Sequence, residues 1–307
     1  MGPQLQPQLN FTKPAKSSHA HLRHLRAKGL ITKGQQSQAL NALQFVGYYR
    51  LLIYTRPLQD DQKRFYPGVR FDDILALYEF DRSLRLVLLD AIEQVEVAFR
   101  SAIVNAMAND KDCGPHFYLK TKHFKDMEAH RNFMKNVLGL RLTNPIKHYY
   151  HTYHTPPYPP IWTILEELSI GQMSRLLASL DREHRRRVAT QFGYDEKVIV
   201  SWLKSTTMLR NNCAHHSRVW NNNVGADSPQ SANAIHSEFP GNPDQGFFFS
   251  RTVALQALLK AIDPSTTWQD RFKTVMRTLP VATLSKAGIT PQSIGIPFQW
   301  ETRPYWN

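Results

Sequence analysis

Cysteine is scarce in this chain. Only Cys113 and Cys213 occur among 307 residues, which excludes a disulfide framework and fits a reducing cytoplasm. No stretch of about 18 uninterrupted apolar residues exists, so no membrane span is expected. The start, MGPQLQPQLN, lacks the apolar centre of a secretory leader. There is no Gly-x-Ser-x-Gly elbow and no alternating strand pattern, which argues against a serine hydrolase. The Gly-x4-Gly-Lys-Ser/Thr phosphate loop is missing as well, which argues against an ATPase of that type. Acidic residues are also in short supply. Lys plus Arg number 38 against 25 for Asp plus Glu, so the formal charge is +13 and the pI about 9.8. A balance this basic favours an anionic partner, nucleic acid first. The 42% hydrophobic content is that of a folded protein with a real core.

The apolar spacing is helical throughout, and the expected class is all-α. Residues 1–16, with three prolines, form a flexible lead-in. An N-terminal helical region covers 17–70. Its first helix, 17–30, is capped by Ser17 or Ser18 and stopped near Gly29. A second runs from 37 to 54. The main helical core covers 71–280. Within it, 71–108 is one long helix carrying Ile74, Leu77, Leu84, Leu88, Ile92, Val95 and Phe99 on a buried face. Asp81 and Arg85, and likewise Glu96 and Arg100, are four apart and can pair on one face. Further helices are expected at 122–139, 161–180, 196–218, 250–262 and near 267–278. A Tyr-, His- and Pro-rich connector separates the second of these from the first, at 145–160. Residues 221–247 form a long loop of Asn, Gly, Ser and Pro, and 281–307 an aromatic tail able to dock by Trp300 and Trp306.

The most informative stretch is Arg210-Asn211-Asn212-Cys213-Ala214-His215. Arginine can hold a phosphate by two parallel hydrogen bonds and offset charge that develops in a transition state. Histidine can move a proton near neutral pH, and asparagine can orient either. On a helical wheel, Val198, Trp202, Thr206, Leu209 and Cys213 form a packing stripe. Lys204, Asn211, His215 and Arg218 fall on another, at spacings of seven, four and three. Arg210 flanks this polar stripe, and Asn211 can hydrogen-bond His215. Arg210 and His215 lie roughly 140° apart around the axis. One helix therefore does not complete a site, and two copies related by a two-fold axis would.

Arg210-Asn211-x-x-x-His215 resembles the R-x4-H signature of the HEPN superfamily of helical, metal-independent ribonucleases. Other stretches resemble the Abi-like (AbiD/AbiF) abortive-infection family within it. They are FTKPAKSSHAHLRHLRAKGL, Gly47-Tyr48-Tyr49-Arg50-Leu51, the run Leu77–Arg85, the run Ile92–Ser101, Pro160-Ile161-Trp162 and the run Leu168–Ser174. They stand in family order over roughly residues 11–220, with a weaker match at Pro297-Phe298-Gln299-Trp300. The resemblance implies a HEPN-like helical bundle with an N-terminal helical extension and long loops. It implies an endoribonuclease of phage defence or of a toxin–antitoxin pair, acting as a homodimer with facing motif helices and restrained by a neutralising protein or RNA. By position, Arg210, Asn211 and His215 would be catalytic. Glu96 and Arg100 would be structural or site-supporting. No cofactor and no metal is implied.

Lys204, Arg218, Arg185, Arg186 and Arg187 are the expected RNA-backbone contacts. The same cations, with Tyr48, Tyr49, Tyr150 and Tyr153 stacking bases, would also serve a non-catalytic RNA-binding or scaffold protein. A metal centre is the weaker rival. His148, His151 and His154 are spaced by threes and His19, His21 and His24 cluster, but neither set has Cys or acidic partners at close spacing. The connector around the first set also lacks a helical frame.

Overall fold

Residues 71–107 form one continuous helix, the backbone of the structure. This computed structural model describes residues 14–223, 228–241 and 246–307, so the tail before residue 14 and the loop positions 224–227 and 242–245 lie outside the described residues. The protein is all-α. Among the described residues there are thirteen α-helices and no strand, only isolated bridges. No described helix is long and apolar enough to cross a membrane. The chain divides into two units: Met1–Tyr78 with Ala282–Gly288, and Glu79–Val281 with Ile289–Asn307.

In the first unit, α1 (Ser18–Ala27) begins where the Ser17 side chain accepts from the Ala20 amide at 3.3 Å, and the chain turns at Gly29 with φ 93°. Leu22 and Leu25 bury its apolar stripe. The expected helix over 37–54 is two helices, α2 (Gln36–Ala42) and α3 (Tyr48–Thr55), joined by a π-turn at Leu43–Gly47. Gly47 has φ 95°, a left-handed-side backbone that breaks the helical path and that a side chain would strain. The opening residues of α4 (Phe71–Met107) close this unit. Asp73 accepts from Thr283 Oγ1 at 2.7 Å and pairs with Lys286 Nζ at 2.7 Å, pinning the returning segment.

In the second unit, α4 turns Leu84, Leu88, Ala91, Val95 and Phe99 inward, all fully buried at spacings of three and four. The segment expected as helix 122–139 starts as a single 3-10 turn, Thr121–His123, followed by α5 (Met127–Leu138), which Asp126 caps. The 145–160 connector contains a helix the sequence did not announce, α6 (Asn144–Thr152). Pro145 sits in its first turn, where the missing N–H costs nothing, and Ile146 and Tyr149 bury its apolar side. The helix expected over 161–180 is broken into α7 (Ile161–Glu167) and α8 (Ile170–Ser179). Ser169 starts α8 with a reciprocal capping box to Gln172, so the chain restarts there instead of continuing.

Next come α9 (Arg182–Thr190), α10 (Glu196–Ala214) and α11 (Phe248–Ile262). Every residue from Phe248 to Leu259 is buried, so α11 is the central helix. It packs against α10 and α12 (Trp268–Met276), and α13 (Val281–Ser285) follows. The C-terminal segment lays Trp300 and Trp306 on Phe249, with ring centroids 5.2 and 5.6 Å away, and on Phe272 at 5.4 and 5.6 Å.

Candidate active site

Helix α10 carries the Arg–His motif, and its packing face aims it. Asp195 starts the helix by accepting the Lys197 amide at 2.8 Å. Ile199, Trp202, Leu203, Thr206, Leu209 and Cys213 are buried against the neighbouring helices. Trp202 is fastened by its indole N–H to the Gln230 carbonyl at 2.7 Å, while the Gln230 amide donates to Ser201 Oγ at 2.9 Å. Burial pushes the Cys213 thiol up to about 12, with the Asp81 carboxylate adding to the shift and Arg85 opposing it. Cys213 is therefore an inert packing residue, not a nucleophile.

The helix ends at Ala214, four residues before the expected end. His215 is its C-cap and His216 turns left-handed at φ 56°. The His216 amide returns to Cys213 O at 3.0 Å and the Ser217 amide to Asn212 O at 2.8 Å, a Schellman ending. Arg218 is thus not on the helical stripe with Asn211 and His215. Its guanidinium donates to the Asn221 carbonyl at 3.0 Å and lies 5.6 Å from the Trp220 ring centre. The exit from the motif is locked by Asp81 on α4. One Asp81 oxygen accepts the amides of Val219 and Trp220 at 2.9 and 3.0 Å while the other holds Arg85, and both side chains are buried.

Against this fixed frame the motif side chains face outward. Arg210 and Asn211 are half-buried and His215 is exposed. Among the described residues, none of the three has a side-chain hydrogen bond or ion pair, so the expected Asn211–His215 bond is not formed. The other cations differ. Arg187 bridges Asp110 at 2.5 Å and Glu183 at 2.7 Å. Arg185 donates to the Leu180 carbonyl at 2.8 Å and stands 4.0 Å from Glu196, which Arg182 also contacts at 3.0 Å. Only Arg186 of the expected run is exposed with no such partner among the described residues. Lys204 is exposed on a cleft of about 440 Å³ that it shares with Arg185, Lys197, Glu196 and Gln230. By helical rise, it lies about 9 Å before Arg210.

Glu96 and Arg100 form a half-buried pair at 2.7 Å. Arg100 also donates to the carbonyls of Leu165 and Leu168, at 3.0 and 3.2 Å, closing the C-terminal end of α7. Tyr49, Tyr150 and Tyr153 are exposed, whereas Tyr48 stacks on His21 at 4.0 Å.

One cation escaped the sequence reading. Arg175 is exposed on α8 beside Gly171, and Gly171 is where α8 comes close to Thr207. Thr207 is one turn before Asn211, so Arg175 belongs to the polar side of α10. Its only sequence signal is the Gly171-x-x-x-Arg175 spacing, one helical turn from a close-approach glycine.

The sequence profile of the Abi-like protein family matches residues 41–221, from α2 through the motif and its exit turn. The chain belongs to this family. No curated protein and no solved structure matches it.

Proposed function

We propose that this chain is an endoribonuclease of a phage-defence, abortive-infection system, with Arg210, Asn211 and His215 as its reacting groups. Family membership supports the defence role. The observation that carries the nuclease reading is the contrast at α10. In a chain where most of the expected phosphate-binding arginines are committed to internal acids and carbonyls, the Arg–Asn–His set is outward-facing, held on a rigid helix and without internal partners among the described residues. In the reaction the ribose 2′-oxygen attacks the adjacent phosphorus, and the bond to the 5′-oxygen breaks. His215 moves the proton, and Arg210 holds the phosphoryl oxygens as negative charge accumulates. The products are a 2′,3′-cyclic phosphate and a 5′-hydroxyl. Arg175, Lys204 and Arg186 supply backbone contacts on either side. Because Arg210 and His215 point to different sides of one helix, a second copy of α10 completes the cleft, which makes the working form a homodimer.

Purified wild-type protein and the Arg210→Ala and His215→Ala variants, incubated with total RNA in EDTA, test this reading. Cleavage by the wild type leaving cyclic phosphate ends, and a loss of about 10²–10³-fold in each variant, is expected. Cleavage of a substrate lacking the scissile 2′-hydroxyl overturns the mechanism. RNA binding by the wild type without cleavage favours the scaffold reading, for which the exposed Tyr150 and Tyr153 of the second unit offer stacking faces.

A further inference from the structure

Cys113, His123 and His184 come from three separate places in the second unit, yet their side chains converge in its interior. Cys113 lies in the turn after α4, His123 at the end of the Thr121–His123 turn, and His184 in the first turn of α9. All three are buried. Cys113 Sγ is 3.9 Å from His123 Nδ1 and 3.9 Å from His184 Nε2, and those two nitrogens are 2.8 Å apart. Asp181 stands beside His184. Its Oδ1 caps α9 at the His184 amide, 2.9 Å away, which leaves Oδ2 directed at His184 Nε2 at 3.0 Å. The backbone holds the two strands of chain together here, since the Asp181 amide donates to the His123 carbonyl at 3.1 Å and the Lys125 amide to the Ser179 carbonyl at 2.9 Å.

Hydrogen bonding among these groups does not account for the cluster. His184 Nε2 faces a thiol, an imidazole nitrogen and a carboxylate oxygen at once, and one N–H can serve only one of them. Among the described residues, the outer nitrogens His123 Nε2 and His184 Nδ1 are buried with no hydrogen-bond partner, so no hydrogen bond at their far edges explains why the rings are placed as they are. A tetrahedral zinc with ordinary bond lengths would set its nitrogen ligands about 3.3 Å apart and its sulfur about 3.6 Å from each. The observed spacings differ from this by a few tenths to half an ångström.

We propose that Cys113, His123 and His184 form a buried structural site for a divalent, borderline-soft metal ion of the zinc class, with the Asp181 carboxylate beside it. One thiolate and two imidazoles are a donor set that suits zinc. The ion would tie the irregular segment between α4 and α5 to the start of α9. None of its ligands is Arg210, Asn211 or His215, and the site does not rest on the nuclease reading.

The test uses the untagged full chain and no RNA. Elemental analysis is expected to find about one zinc per chain. After mild chelation, titration with Co²⁺ is expected to give the visible bands of tetrahedral cobalt and a near-ultraviolet thiolate-to-cobalt charge-transfer band. Cys113→Ser loses the charge-transfer band, and His184→Gln weakens binding at least about tenfold. Cys213→Ser and the triple variant His148→Ala, His151→Ala, His154→Ala keep the band. Folded wild type with no such band, or a band that survives Cys113→Ser, overturns the site. Should Cys113→Ser fail to fold, alkylation of wild type decides the matter. Zinc shielding Cys113 from iodoacetamide supports the site, and equal labelling with and without zinc refutes it. A metal-replete, folded protein that cuts no RNA would remove the nuclease reading alone.

Discussion

Arg210 and Arg187 are both half-buried arginines on helices of a basic chain, yet one is bound to two carboxylates and the other to none among the described residues. The difference predicts their roles. Arg210→Ala should leave the unfolding midpoint nearly unchanged and abolish cleavage. Arg187→Ala should lower the midpoint while sparing the reaction, and parallel denaturation and cleavage assays separate the two. Asp81 and Arg85 make the complementary case. The sequence offered them only as a helical pair four apart. In the structure they are buried, and Asp81 also holds the amides of Val219 and Trp220 behind the motif. Asp81→Leu alone removes the carboxylate paired with the buried Arg85 and is expected to cost about 3–5 kcal/mol. The double variant Asp81→Leu, Arg85→Met is expected to recover part of that loss. Urea unfolding of the single and double variants measures this, and additive losses would show that the pair is not coupled. Because Asp81 sets the turn after His215, the double variant should still cut RNA less well than the wild type.

Helices were legible wherever a single apolar stripe decided them, as in α4, where the expected 71–108 became Phe71–Met107. They were misjudged where polar or backbone detail decides. Gly47 and the Ser169–Gln172 capping box each interrupt a continuing apolar pattern. The Schellman turn at His216 stops α10 with no proline or glycine to announce it, which is why Arg218 lies beyond the helical stripe expected for it. The first turn of α4 has its own pH signature. Burial alone would raise the Asp73 carboxyl, but Lys286, the Arg70 amide and Thr283 together hold it below the ordinary carboxylate range. The folded value is therefore depressed. Its stabilising effect is present above the unfolded carboxylate pKa and is lost as pH falls through the lower folded value. Lys286→Met should destabilise the first unit by about 1.5–3 kcal/mol near neutral pH and flatten the acid limb of stability against pH. An unchanged acid limb would mean that Asp73 is not the group responsible.

At the scale of the whole molecule, the proposed two-copy cleft at α10 sets the strongest expectation. If two copies share the cleft, with Arg210 from one and His215 from the other, mixing inactive Arg210→Ala and His215→Ala proteins under exchange should restore about a quarter of wild-type cleavage, since half the dimers are mixed and each holds one intact site. No restoration would mean that each copy cuts with its own pair. By itself the sequence determined the helical class, the buried stripe of α4 and the residues able to handle a phosphate, because apolar periodicity and side-chain chemistry are local properties. It did not determine which charges are spent inside the protein. Arg185 and Arg187 stand beside Arg186 in the sequence, but partners at Leu180, Glu183 and Asp110 occupy them. Nor did it bring Cys113 to His123 and His184, since those meetings span 10 and 71 positions. Only chain packing decides contacts of that separation.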